Sequence, residues 1–323
     1  MAYRPRQSAK IFLGSSIRPR LIGMALSMVI RYIGGKEGGL DRLKGKTIGF
    51  IFLESPYGRE PLPLLQQFAK DYGFTVKEYS VAGKEMQDQS AQWLSVRRDR
   101  PAWMIMWGWG AMNPTAVKRA AENGFPMDHF IGIWWSGSDD DGRGGGQEAK
   151  GYLALNFNGL GANYPAIQDI KKYVVDKGKS QVEKDKFAEN LYNRGVYNSV
   201  LVAEAIRNAQ KLSGKKVVTG EDVRRGLETL NISDARWKEL GFANFAAPIS
   251  GVNCTDHNGH APAYMQQWDG AKWVKVSDWI QPMRDKVRPM LEEAAKSMLR
   301  RTPAGRSAPK PVTSHRDLSC AEK

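Results

Sequence analysis

Four aromatic side chains stand where this sequence could bind or transform something. Tyr57 lies in SPYG, Trp109 follows WMIMWG, and Trp134 and Trp135 close FIGIWW. Each follows or ends an apolar run of the kind expected for a buried strand. In open α/β sheets, ligands bind beyond the carboxyl ends of strands. A planar or apolar molecule stacks well on such rings, and a cation can sit over a ring face. Ser55 and Ser136 flank the aromatics and can donate hydrogen bonds or serve only their turns. No metal ligand and no nucleophile paired with a base accompanies them, so the set points to binding rather than catalysis.

A second cluster carries a different chemistry. In CTDHNGH (254–260), Cys254, Asp256, His257 and His260 are all zinc-ligand types, and a metal-dependent hydrolase is the activity they would support. Their spacing matches no standard zinc motif, and Asn258-Gly259 reads as a tight turn. The stretch SGSDDDGRGGGQEAKG (136–151) is glycine-rich, but it does not stand between a strand and a helix as a dinucleotide loop must. It reads as a flexible surface loop. No Ser-His-Asp set, P-loop or HExxH occurs. Thus no catalytic residue, metal or cofactor is assigned.

The elements that must position the aromatics follow a strand-helix alternation. Strands are expected at 47–54, 74–82, 103–108, 130–135 and 151–157, and helices at 59–73, 87–100 and 113–124. Gly73 and Pro101 stop the first two helices, and Asn113 with Pro114 starts the third as cap and first residue. Such alternation with short loops means a parallel sheet with helices on both faces. Helices then dominate from 163 to about 230, with Thr219 and Asp222 forming a capping box. AYMQQW (263–268) and KWVKVSDWI (272–280) flank Asp269-Gly270 as a hairpin, and a helix runs from about 284. LIGMALSMVI (21–30) belongs to a helix over 21–33 that stops at Gly34-Gly35 and packs on the first strand. It starts too late, and lacks the cleavage pattern, to read as a convincing signal peptide.

Bulk properties narrow the classes. The chain has 323 residues, 41% hydrophobic and 25% charged, as in ordinary globular proteins. The formal charge of +14 raises nucleic acid as a partner, and a basic nucleic-acid-binding protein is the third functional class considered. Much of the excess sits near the ends, at Arg4, Arg6, Lys10, Arg18 and Arg20, then Arg300, Arg301, Arg306, Lys310 and Arg316, with no recognised motif beside it. The two cysteines, Cys254 and Cys320, permit a disulfide without implying one.

Several phrases, in order, resemble the type I periplasmic binding proteins of ABC transporters, in particular the branched-chain amino acid binding-protein-like group. They are LKGKTIGFIFLESPYGRE (43–60), MIMWGWGAMNPTAVKRAAENGF (104–125), FIGIWWSGSDDD (130–141), KGYLALNF (150–157), YNSVLVAEAIRNAQ (197–210), TGEDVRRGLETL (219–230) and DHNGHAPAYMQQWDG (256–270). The resemblance covers about 28–297. It implies an α/β fold of two Rossmann-like lobes with parallel sheets, joined by crossovers, with a small-molecule ligand in the cleft. It further implies no enzymatic activity, delivery of an amino acid or related solute to an ABC permease, and a periplasmic location. Members carry a long segment ahead of the equivalent of LKGKTIGF that builds most of the first lobe, so the resemblance implies an incomplete, truncated first lobe here.

The expected organisation is then an atypical basic segment at 1–27, a near-complete lobe at 28–158, the C-terminal part of the other lobe at 159–268, a crossover strand and terminal helix at 269–297, and a disordered basic tail at 298–323. The face of a helix such as 197–211 is expected to be exposed, giving a monomer or weak self-association. By resemblance, the ligand contacts are Ser55, Tyr57, Trp109, Trp134, Trp135 and Ser136. Trp134 or Trp135 falls where amino-acid binders place a carboxylate for the ligand ammonium, leaving only Asp139 or Asp140 to reach in.

Overall fold

The computed structural model describes residues 18–254 and 256–301. Residues 1–17 of the expected lead (1–27) and 302–323 of the expected tail (298–323) lie outside the described residues, with most of the terminal basic residues. A helix, α1 (Arg18–Lys36), precedes the alternation β1 (Thr47–Leu53), α2 (Pro56–Arg59), α3 (Leu62–Tyr72), β2 (Thr75–Val81), α4 (Ser90–Asp99), β3 (Trp103–Trp107), α5 (Met112–Glu122), β4 (Phe130–Gly132), α6 (Asp139–Gly144) and β5 (Leu153–Asn156). Then come α7 (Pro165–Ile170), α8 (Asn190–Ser213), α9 (Gly220–Glu228), α10 (Asp234–Glu239), β6 (Tyr264–Trp268), β7 (Trp273–Lys275) and α11 (Arg284–Arg301).

All seven strands form one sheet in the order β2-β1-β3-β4-β5-β6-β7. The first five are parallel, and β6 and β7 add antiparallel strands. Residues 264–275 therefore extend the sheet built by the first half of the chain. Alternation along the strands divides the core in two. Phe50, Phe52, Trp103, Ile105 and Trp107 face one side with Leu65 and Phe68 of α3 and the buried face of α1. Ile51, Leu53, Met104 and Met106 face the other with Trp93 of α4 and Ala116 and Val117 of α5. Each large apolar side chain buried this way stabilises the fold by about 1.5–3 kcal/mol.

Helix ends follow the expected chemistry in part. Gly73 closes α3 in the left-handed conformation, its N–H returning to Ala69. α4 ends at Asp99, two residues before Pro101, with Arg100 between them left-handed. α1 runs through Gly34-Gly35 instead of stopping there. Gly34 lies close to the following turn, where a Cβ would sit 2.7 Å from Leu40 Cδ2. The apolar stretch Met24–Ile33 is thus core, and Ser27 Oγ accepts a hydrogen bond from the Met283 N–H at 3.0 Å, tying α1 to the start of α11.

Three local expectations are corrected. β4 stops at Gly132, and Trp134–Ser136 forms a 3-10 turn instead of continuing the strand to 135. The glycine-rich stretch after it is built, not flexible: Ser138 caps α6 through a reciprocal box with Asp141, and Gly142 packs where a Cβ would lie 2.4 Å from the Trp268 ring. The hairpin loop is four residues long, with Asp269 Oδ1 accepting from the N–H groups of Ala271 and Lys272 at 2.8 Å, and its second strand ends at Lys275.

The helical half has its own core of Ile167, Ile232, Trp237, Phe242 and Phe245. The Thr219–Asp222 box forms as expected. Among the described residues this half has no sheet of its own, only an isolated bridge between Ile232 and Ile249. Among the described residues, one mostly parallel sheet and a sheetless helical unit make an α/β fold. Leu191, Val202 and Leu212 are exposed along α8. No helix of the described residues is long and apolar enough to cross a membrane.

Candidate functional site

The site is built from the carboxyl ends of β1, β3, β4 and β5. After β1, Ser55 caps α2, its Oγ accepting from the Gly58 N–H at 3.1 Å and donating to the Leu53 carbonyl at 3.3 Å. The turn is so tight that a Cβ on Gly58 would lie 1.9 Å from the Leu53 carbonyl oxygen. This turn holds the half-buried Tyr57 against Trp109, with ring centroids 4.8 Å apart and planes at 25°. Trp107 lies beneath, 6.5 Å from Tyr57. The Tyr57 hydroxyl is buried and has no hydrogen-bond partner among the described residues. Burial, and secondarily the Glu60 charge, push its pKa far up, so it remains a neutral donor.

Trp109 follows β3 through Gly108 and is 44% exposed. Asn113, expected as a helix cap, lies inside α5 and is buried. Its Nδ2 donates to the Trp135 carbonyl at 2.7 Å. The polar side chain thus serves the neighbouring loop instead of its own helix.

The loop after β4 is held carbonyl by carbonyl. Trp134 O accepts from Arg194 Nη1 (2.6 Å), Trp135 O from Asn113, and Ser136 O from the Tyr152 hydroxyl (2.7 Å). Gly137 O accepts from Asn190 Nδ2 (2.5 Å) and Gln266 Nε2 (2.9 Å), and Ser138 O from Trp273 Nε1 (3.0 Å). A loop without a ladder leaves carbonyls that must be satisfied elsewhere. Side chains from α5, α8, β6 and β7, and Tyr152 just before β5, satisfy these. The result fixes two adjacent tryptophans in opposite environments. Trp134 is 6% exposed, edge-on to Phe157 at 5.7 Å, whereas Trp135 is 55% exposed. Ser136 is fully buried, its Oγ accepting from the Ile133 N–H at 2.9 Å and donating to the Ile133 carbonyl at 3.2 Å. The structure therefore brings Tyr57 and Trp109 together, leaves Trp135 open beside its own strand end, and places Trp134 and Ser136 beneath the surface.

Sequence reading passed over the polar layer under this loop. Asn156 Nδ2 lies within hydrogen-bond reach of Asn190 Oδ1, the Tyr264 hydroxyl and Gln266 Oε1, at 2.9–3.1 Å. Asn158 Nδ2 donates to Asn190 Oδ1 at 2.9 Å, and Arg194 Nε to Asn158 Oδ1 at 3.2 Å. The available signal was helical spacing: Asn190, Asn193 and Arg194 put polar groups on the face of α8 that turns inward. Burial pulls the Arg194 guanidinium down to about 10 and pushes the Asp141 carboxyl up to about 6.

Asp139 and Asp140 do not reach the aromatic edge. Asp139 Oδ2 accepts from the Asn190 N–H at 2.8 Å, and Asp140 pairs with Arg143 and with Lys186 (2.7 Å). The 254–260 cluster is also dispersed as a metal site. Cys254 is disulfide-bonded, Asp256 pairs with Arg284 and with Arg288 (2.8 Å), and His257 lies 3.4 Å from Glu228. No group of three such residues among those described could hold a metal ion. A depression of about 270 Å³ lined by Trp93, Arg97, Arg100 and Phe125 lies at the opposite, amino end of the strands.

Residues 26–272 match the family model of the periplasmic binding proteins. A crystal structure described as an ABC transporter permease from the Pseudomonas fluorescens group is 41% identical, with a TM-score of 0.79, over 85% of this chain and 66% of that one. A branched-chain amino acid ABC transporter from Thermus thermophilus with bound valine has 19% identity and a TM-score of 0.65, covering 83% of this chain and 67% of that one. A solute-binding protein from R. palustris in complex with benzoate has 14% identity and a TM-score of 0.55, covering 83% and 69%. The chain thus spans about two thirds of these proteins' length. No curated protein matches the sequence.

Proposed function

The chain belongs to the periplasmic binding protein family, and we propose that it is a non-catalytic solute-binding component of an ABC-type uptake system, working in the periplasm. The observation that carries this reading is the Tyr57–Trp109 stack at the carboxyl edge of the sheet, with a buried tyrosine hydroxyl that has no partner among the described residues. Buried polar groups are nearly always hydrogen-bonded, and an unpaired one beside an exposed indole suits a ligand that supplies the acceptor.

Within this reading Tyr57, Trp109 and Trp135 form the contact surface, and Ser55, Trp134 and Ser136 support it from below. The solute is a small molecule with a planar or apolar part. A free amino acid fits less well, because Asp139 and Asp140 are engaged elsewhere and supply no carboxylate for an ammonium group. The proteins solved with valine and with benzoate show that this fold serves both an amino acid and an aromatic acid. The permease subunits of the transporter are the partners. With Tyr57, Trp109 and Trp135 as the contact surface, affinity is weaker than roughly micromolar, about −8 kcal/mol.

The test is a titration of intrinsic tryptophan fluorescence with aromatic and aliphatic solutes, repeated with Trp109→Ala. Saturable quenching by an aromatic solute that the substitution removes supports the reading. Quenching unchanged in Trp109→Ala, or none with any solute, refutes it.

A further inference from the structure

Arg194 is a cation buried to 8% exposure at the same strand edge, and no acid among the described residues forms an ion pair with it. Its Nε donates to Asn158 Oδ1, its Nη1 to the Trp134 carbonyl and its Nη2 to Asn156 Oδ1 at 3.3 Å. All three acceptors are neutral. The guanidinium also lies 5.2 Å from the Phe157 ring centroid. Asp141, the acid that acts on it through space, is instead occupied by the N–H and hydroxyl of Ser138, at 2.9 and 2.6 Å. Withdrawing an arginine from water without a counter-ion is costly, and a neutral amide could make the same bonds to neutral oxygens. Charges left unpaired in this way concentrate where a ligand completes the pairing.

The donor count leaves room for such a ligand. A guanidinium carries five N–H groups, of which three are used here, so each terminal nitrogen keeps one. Two parallel N–H groups are what a carboxylate engages. The bond to the Trp134 carbonyl places this charge one residue from the exposed Trp135. Burial lowers the guanidinium only to about 10, so it stays charged at neutral pH.

We propose that Arg194 is the counter-charge for a carboxylate on the solute, and that the cargo is therefore a planar organic acid. This rests on the reading of the Tyr57–Trp109–Trp135 edge as the binding surface. It adds a residue from α8, so that one ligand would touch both the sheet and the helical unit.

The test compares phenylacetate with its neutral isostere phenylacetamide by fluorescence titration into the millimolar range. Wild type is expected to favour the acid by about ten-fold or more, as for a charge-assisted hydrogen bond. Arg194→Gln, which keeps amide donors but no charge, is expected to bring the two within about three-fold, and Arg194→Lys, which keeps the charge but not the paired N–H groups, to keep only part of the preference. A purely structural arginine would change both affinities together. Equal affinities in wild type overturn the proposal whether or not the variants fold, as does a preference that survives in Arg194→Gln. Binding of the amide alone overturns the proposal but leaves the aromatic edge standing. Binding of neither probe overturns both.

Discussion

The Tyr57 ring stacks on Trp109 with centroids 4.8 Å apart while its hydroxyl, buried, has no hydrogen-bond partner among the described residues. Stacking and packing explain the ring but not the oxygen. An unsatisfied buried hydroxyl costs about 1–3 kcal/mol. Tyr57→Phe should therefore leave the stability unchanged or raise it by about 1 kcal/mol in urea unfolding, while weakening ligand binding several-fold. A marked loss of stability in the phenylalanine variant would show that the hydroxyl has a structural role after all.

Trp134 and Trp135 are adjacent in sequence and opposite in role. Trp134→Ala removes a buried indole and should cost about 3–5 kcal/mol of unfolding free energy. Trp135→Ala removes an exposed one and should change stability by less than about 0.5 kcal/mol, while reducing ligand-induced fluorescence changes. Equal effects of the two substitutions on stability would contradict the burial difference.

Gly58 makes the turn that presents Tyr57. A Cβ there would meet the Leu53 carbonyl oxygen at 1.9 Å, and backbone cannot yield as a flexible side chain can. Gly58→Ala should destabilise by about 1–3 kcal/mol and weaken binding, since α2 must shift and carry Tyr57 with it. Unchanged midpoints in urea together with unchanged affinity would rule this out.

Asp141 gives a pH signature. Its folded pKa of about 6 lies above the ordinary 3.8, because burial disfavours the charged form. The folded state therefore holds its proton more tightly than the unfolded state. The stabilisation is fully present below about pH 4 and is lost as pH rises through about 6. Asp141→Asn is neutral throughout and keeps an oxygen for the Ser138 N–H, so its Tm should lack the decline that wild type shows between these limits. Parallel Tm profiles for the two proteins would remove Asp141 as the cause.

Sequence alone determined the order of strands and helices, the α/β class, the family resemblance and the position of the aromatics at strand ends. These properties are local: they follow from periodicity, turn chemistry and short phrases read along the chain. The Thr219–Asp222 box and the termination of α3 at Gly73 belong to the same level. Only the tertiary structure decided that Trp134 is buried and Trp135 open, that Asn113 serves the neighbouring loop, and that Gly34 permits a close approach instead of ending a helix. It also decided that Arg194 is a buried cation beneath that loop, with no ion-paired acid among the described residues. An arginine on an amphipathic helix looks like any solvated charge until its partners are known. Those partners, Trp134, Asn156 and Asn158, lie 36 to 60 residues away, brought within hydrogen-bond reach by the packing of α8 on the sheet edge.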